Sequence, residues 1–172
     1  SKENPHGRAK DLCPEDPFRE GVKPLQPPVI SVDDLQGNLY LDQIINTIVP
    51  ALTDVKRENT AMIGSSMGGL ATLSAAIQFH DRFDTALVLS PHWTLAGDPL
   101  VDWMISRLPH RSDFRIWMSR GTKGLDAAYE PHQNRADLMM AEHGWREPRF
   151  RSKVFHRTAH NERSWASYLD EP

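Results

Sequence analysis

Gly64-Ser65-Ser66-Met67-Gly68 sets a serine midway between two glycines. The residues before it, Ala61 to Gly64, are apolar and β-rich, and those after it place Leu70, Leu73 and Ile77 on one helical face. A G-x-S-x-G segment that runs from strand straight into helix predicts a sharp turn, which strains the serine and exposes its Oγ above the sheet edge. Small residues two before and two after, Gly64 and Gly68, are expected to prevent collisions there. Gly69 is expected to let the helix approach the sheet. The chemistry would be nucleophilic attack on a carbonyl by Ser66. The Met67 N–H, at the helix N-terminus, would donate to the resulting oxyanion as one of two donors. Ser65 is the neighbouring alternative but lacks the flanking glycine spacing. A bare glycine-rich turn is the non-chemical alternative; a phosphate loop is disfavoured, because no Lys follows the glycines and no G-x-G-x-x-G occurs.

A serine needs a positioned base. His160 falls in Thr158-Ala159-His160-Asn161-Glu162, after the last β-rich run and before the terminal helical pattern, where a base can reach Ser66. His156 lies within the strand pattern and reads as structural. An acid partner belongs between the two, on the loop after the preceding strand, Ser119 to Asp126. Asp126 is the only carboxylate there; its alternative role is an ordinary helix N-cap. Glu130 is the reserve candidate, and a Ser–His dyad stays open. His92 and Trp93 follow the second strand at the carboxyl edge of the sheet, where ligands bind in open α/β folds, and are expected to line the substrate pocket. Plain packing is the alternative for Trp93. The eight histidines show no metal-ligand spacing, so no metal is expected. Cys13, the single cysteine, excludes an internal disulfide and reads as a bland thiol rather than a nucleophile.

Positioning these groups requires a parallel sheet. Runs at 61–64, 85–90, 114–118 and 149–156 read as strands, and helical patterns at about 67–80, 98–107, 126–143 and 162–169 follow them. Four strand–helix units predict an α/β fold, a mostly parallel sheet flanked by helices, and the G-x-S-x-G turn between strand and helix points to the α/β-hydrolase fold. Upstream, Leu39 to Val49 has helical spacing that Pro50 kinks or ends, predicting a helix that finishes near Val55. Residues 1–37 hold six of the 13 prolines and read as an irregular loop or lid, with at most a short strand at Val29 to Val32. So few strands before residue 39 raises the expectation that N-terminal strands of the fold lie outside these residues.

The 172 residues suit one domain, taken as 1–172. A net charge of -3 with scattered basic residues gives no footprint for nucleic acid or an anionic membrane, and no apolar run approaches membrane-span length. The chain reads as soluble, with the cytoplasm slightly favoured as compartment and the oligomeric state open.

Several segments together resemble a known family: Asn59 to Leu70, Leu89-Ser90-Pro91-His92-Trp93, Gly121-Thr122 with Leu125-Asp126 and Tyr129, and His160-Asn161-Glu162 with Trp165. They are similar to the putative esterase family, the esterase D-like branch of α/β-hydrolases that includes siderophore trilactone esterases, feruloyl esterases and mycolyltransferases. The likeness runs over about residues 37–169. It implies cofactor-free hydrolysis of a small-molecule ester, with Ser66 and His160 matching the family's nucleophile and base. Acyl transfer to an alcohol by the same residues, and an inactive binding module on the same scaffold, are the alternatives.

Overall fold

Four parallel strands lie side by side in their order along the chain: β1 (Ala61–Ser65), β2 (Thr85–Leu89), β3 (Arg115–Arg120) and β4 (Phe150–Val154). The computed structural model describes residues 7–25, 31–52, 55–110 and 112–172. The register pairs Ser65 with Leu89, Leu89 with Ser119, and Ser119 with Lys153, so all four carboxyl ends finish at one level. Between the strands run α4 (Met67–Gln78), α5 (Asp98–Ile105), the short α6 (Leu125–Ala128) and α7 (Glu130–Glu142); α8 (Glu162–Ala166) follows β4.

Alternation along the strands divides the core in two. Ala86 and Val88 of β2 and Ile116 and Met118 of β3 face α4, α5 and α7, meeting Leu70, Leu73, Leu100, Met104, Ala136 and Met140. The intervening Leu89 and Trp117 face the other way and pack under Trp165 and Tyr168, in and just after α8. Phe155 stacks on Tyr168 there, with centroids 3.7 Å apart. Each large apolar side chain buried this way contributes about 1.5–3 kcal/mol. Close helix–sheet approach depends on Gly69, where a Cβ would meet Pro91 Cα at 3.2 Å.

Strand and helix positions match the expected pattern within a few residues, and three segments depart from it. The predicted 126–143 helix is two helices, because Pro131 opens α7 and Tyr129 forms the joint. Residues 1–37 are not all loop: α1 (Gly7–Leu12) and α2 (Asp16–Arg19) carry Cys13 and Phe18 into the main core, and Leu35 joins them. Pro17 sits in the first turn of α2, where the missing N–H costs nothing, so proline content misjudged this segment. The expected strand at Val29 to Val32 falls partly outside the described residues; Val32 itself begins a 3₁₀ turn. Third, the helix expected to end near Val55 is α3 (Gly37–Gln43), continued by a π-type turn at Ile44–Ile48 and a 3₁₀ turn at Val49–Ala51. Leu41 and Ile45 are its buried large side chains, while Leu39 and Ile48 are exposed.

Candidate active site

Ser66 occupies the joint between β1 and α4 with φ 58° and ψ -122°, a region that non-glycine residues adopt only under strain of about 1–3 kcal/mol. The surroundings hold it there. Its N–H donates to the Leu89 carbonyl at 2.9 Å, and its carbonyl accepts from the N–H of Gly69 at 3.0 Å and of His92 at 3.1 Å. The turn closes because residue 64 has no side chain: a Cβ would lie 2.1 Å from the Gly68 carbonyl oxygen and 2.6 Å from Thr72 Oγ1. Gly68 differs from expectation, since a Cβ there would meet nothing within 4 Å. Its carbonyl accepts from the Thr72 hydroxyl at 2.9 Å. The Met67 N–H, first in α4, has no acceptor among the described residues and remains available to a ligand. Ser65 is the last residue of β1, inside the ladder rather than on the turn.

His160 lies on the loop between β4 and α8. That loop is fixed by the Asn161 side chain, which accepts from Ser164 N–H at 2.9 Å, and by the Ser164 hydroxyl, which accepts from Ala159 N–H at 3.1 Å. It is also tied to the β3–α6 loop, because the N–H groups of Thr122 and Lys123 both donate to the Thr158 carbonyl. Asp126 stands at the end of that second loop, in the first turn of α6. Its carboxylate is fully buried: Oδ1 is 2.6 Å from His160 Nδ1, and Oδ2 accepts from Gly121 N–H at 2.7 Å and Ser90 Oγ at 2.9 Å. A carboxylate on Nδ1 keeps the proton there and leaves Nε2 as an acceptor. Asp126 is not the cap of α6; Gly124 holds that position and Asp126 is the second residue of the helix, in its first turn. Gly121 must be glycine here, because a Cβ would meet the Thr158 carbonyl at 2.5 Å.

Glu130, the reserve acid, is exposed and ion-pairs with the buried Arg120 at 2.8 Å, with no bond to His160. His156 is exposed in the turn after β4 rather than within a strand. Trp93 does not line a pocket: it is wholly buried and its indole N–H donates to Gln133 at 2.9 Å. The first turn after β2 directs it into the main core, where its size outweighs its position at the sheet edge. His92, beside it, is half-buried and lies on the Ser66 turn. Its Nδ1 is 2.5 Å from the hydroxyl of Tyr129, and burial together with the nearby His160 lowers its pKa. Cys13 is buried and its thiol is pushed up to about 12 by desolvation and by Glu15, which leaves it unreactive.

Ser90, Trp165 and Tyr129 are partners that the sequence did not assign to the site. Ser90 directly follows β2 with φ 44°, and its hydroxyl bridges Asp126 to the Trp165 indole N–H, which donates to it at 3.0 Å. Trp165 also sets its ring edge-on to His160, with centroids 4.9 Å apart. A pairing 36 residues apart leaves no local pattern, although Tyr129, three residues after Asp126 on one helical turn, sits at a legible spacing. Among the described residues no group of three or more His, Cys, Asp or Glu side chains is placed to hold a metal ion, and no helix is long and apolar enough to cross a membrane.

The family described as putative esterase matches residues 35–171. Solved structures share the fold at low identity. The enterobactin and salmochelin hydrolase IroE superposes with a TM-score of 0.68 at 16% identity, over 95% of this chain and 60% of its own. An IroE-like serine hydrolase from Shewanella oneidensis gives 0.73 at 14%, over 95% and 54%. The siderophore hydrolase EstA from Aspergillus nidulans gives 0.60 at 19%, over 94% and 61%. The chain thus spans between about half and two thirds of the length of each of these structures. No curated protein matches it.

Proposed function

This chain belongs to the putative esterase family, and from that premise we propose that it hydrolyses carboxylic esters of small molecules through an acyl-enzyme on Ser66. The observation that carries the reading is the 2.6 Å contact between His160 Nδ1 and the buried Asp126 carboxylate, on loops level with a strained serine turn. In this reading Asp126 fixes the imidazole so that Nε2 takes the proton from Ser66 Oγ as Oγ attacks the ester carbonyl. The negative charge that develops on the carbonyl oxygen is met by the Met67 N–H at the positive end of α4. His160 then returns the proton to the departing alkoxide. Water repeats the sequence on the acyl-enzyme and frees the acid.

No hydrogen bond joins Ser66 and His160, and nucleophile–base bonds often tighten only in the Michaelis complex.

The test is turnover of p-nitrophenyl acetate together with labelling by a fluorophosphonate probe, with the labelled residue located by mass spectrometry. The wild type should hydrolyse the ester and carry one probe on Ser66. Ser66→Ala should lose both, with kcat falling by about a millionfold. Near-normal turnover by Ser66→Ala, or a probe on another residue, would overturn the assignment.

A further inference from the structure

Tyr129 is a fully buried side chain beside the two histidines of the site that the hydrolytic sequence leaves unused. Its ring stands edge-on to both histidines, with centroids 5.9 Å from His92 and 5.4 Å from His160. Its hydroxyl lies 2.5 Å from His92 Nδ1 and has the hydroxyls of Ser66 and Thr94 as further neighbours. The residue is fixed at the joint of α6 and α7. Its N–H donates to the Asp126 carbonyl at 3.2 Å, and its carbonyl accepts from Gln133 N–H at 2.8 Å. His92 is fixed as well, since its backbone N–H donates to the Ser66 carbonyl at 3.1 Å. Serine, phenol and imidazole therefore keep their relative places.

The proton inventory of this group is small. Burial and the Asp126 charge raise the phenol above its ordinary value, so it stays neutral with one hydrogen. Burial and His160 lower His92, so its ring is neutral with one N–H. The phenol hydrogen goes to the closest and strongest acceptor, the ring nitrogen 2.5 Å away. His92 must then carry its own proton on Nε2, on the side of the ring away from Tyr129. That nitrogen has no partner among the described residues.

We propose that Tyr129 is a positioning residue that locks His92 in the Nε2–H tautomer, so that His92 presents a fixed N–H donor beside Ser66 to an acceptor oxygen flanking the scissile ester. The favoured substrates are esters with a hydroxyl, ether or carbonyl oxygen close to the reacting carbonyl, rather than plain alkyl esters. A neutral imidazole suits this role: it offers one donor without adding charge next to His160. The inference rests on the esterase reading for its substrate class but not for the tautomer.

Two measurements test it. Nitrogen-15 NMR of the His92 ring in the wild type at about pH 8, where the ring is neutral, should show a protonated Nε2 and an accepting Nδ1, and Tyr129→Phe should give a tautomer mixture. Protonation on Nδ1 in the wild type would overturn the proposal, whether or not the protein is an esterase. The second measurement compares p-nitrophenyl methoxyacetate with the isosteric butyrate, each normalised to its rate with hydroxide. The wild type should prefer the methoxyacetate by about tenfold, the worth of one well-made hydrogen bond. Tyr129→Phe and His92→Ala should each reduce that preference to within about twofold, and the double variant should be no worse than His92→Ala alone. His92→Gln, which restores an N–H donor, should recover part of it. An unchanged preference in folded Tyr129→Phe would refute the positioning role. Failure of the esterase reading would look different: wild type and Ser66→Ala would show equal rates while the tautomer result stood.

Discussion

In the proposed mechanism, replacing Asp126 by Asn separates orientation of the base from upkeep of the fold. The carboxylate divides its work unevenly: Oδ1 serves His160 alone, whereas Oδ2 serves both the Gly121 N–H and the Ser90 hydroxyl. An asparagine keeps two of the three bonds by seating its oxygen where Oδ2 was, which turns its NH₂ toward His160 Nδ1. Two donors then face each other unless the imidazole moves its proton to Nε2, and with that proton in place Nε2 cannot accept from Ser66. The expected loss in kcat is about 10⁴-fold, or about 5.5 kcal/mol of transition-state stabilisation. The fold should lose far less, about 1–2 kcal/mol, because shape and two hydrogen bonds survive. Asp126→Ala is the poorer probe: it orphans three buried donors at about 1–3 kcal/mol each, a total comparable to the whole stability of a domain. The assay is steady-state hydrolysis of p-nitrophenyl acetate beside a thermal melt. A folded Asp126→Asn protein within tenfold of wild-type kcat would refute the reasoning, since the carboxylate would then be a clamp between loops and nothing more.

Two further outcomes follow from the geometry. Gly64→Ala should destabilise by several kcal/mol or fail to fold, because its Cβ would lie 2.1 Å from a backbone oxygen, whereas Gly68→Ala should match or exceed wild-type stability by about 0.5–1 kcal/mol; urea midpoints of the two variants check this, and equal midpoints would contradict it. Stability should also fall as the pH drops below about 6.5, because the lowered pKa of His92 lets the unfolded chain take that proton first, while above 6.5 both states are neutral and nothing is lost. His92→Gln should lose less between pH 7 and pH 5 than the wild type does, and an identical loss would assign the effect elsewhere.

The sheet was legible because its strands are short apolar runs, each followed by a helical pattern, and a parallel α/β arrangement is the natural way to bury both. The serine turn was legible because the local backbone demands its glycine at position 64. What the sequence hid lies across loops. Ser90 reaches Asp126 over 36 residues, and Trp165 reaches Ser90 over 75. Neither contact has a period or a spacing. Trp93 was misplaced for the opposite reason: its position predicts the sheet edge, but a large indole with Gln133 as partner gains more from burial than from exposure. The first 37 residues misled through composition, since proline at the start of a helix counts as structure rather than as interruption.

Register is what turns four unremarkable strand ends into one site. Ser66 follows β1, Ser90 and His92 follow β2, the loop with Asp126 follows β3, and His160 follows β4. Ser65, Leu89, Ser119 and Lys153 stand in line across the sheet, so each loop leaves from the same height and short side chains can bridge neighbours. A slip of one residue in β3 would move the Asp126 loop by about 3.3 Å, more than any hydrogen bond tolerates. It would also turn Trp117 into the main core and Ile116 and Met118 toward α8. The apolar alternation that buries both faces of the sheet is therefore the same constraint that holds Asp126 against His160, and substitutions that equalise the two faces of β3 should damage the site before they unfold the chain.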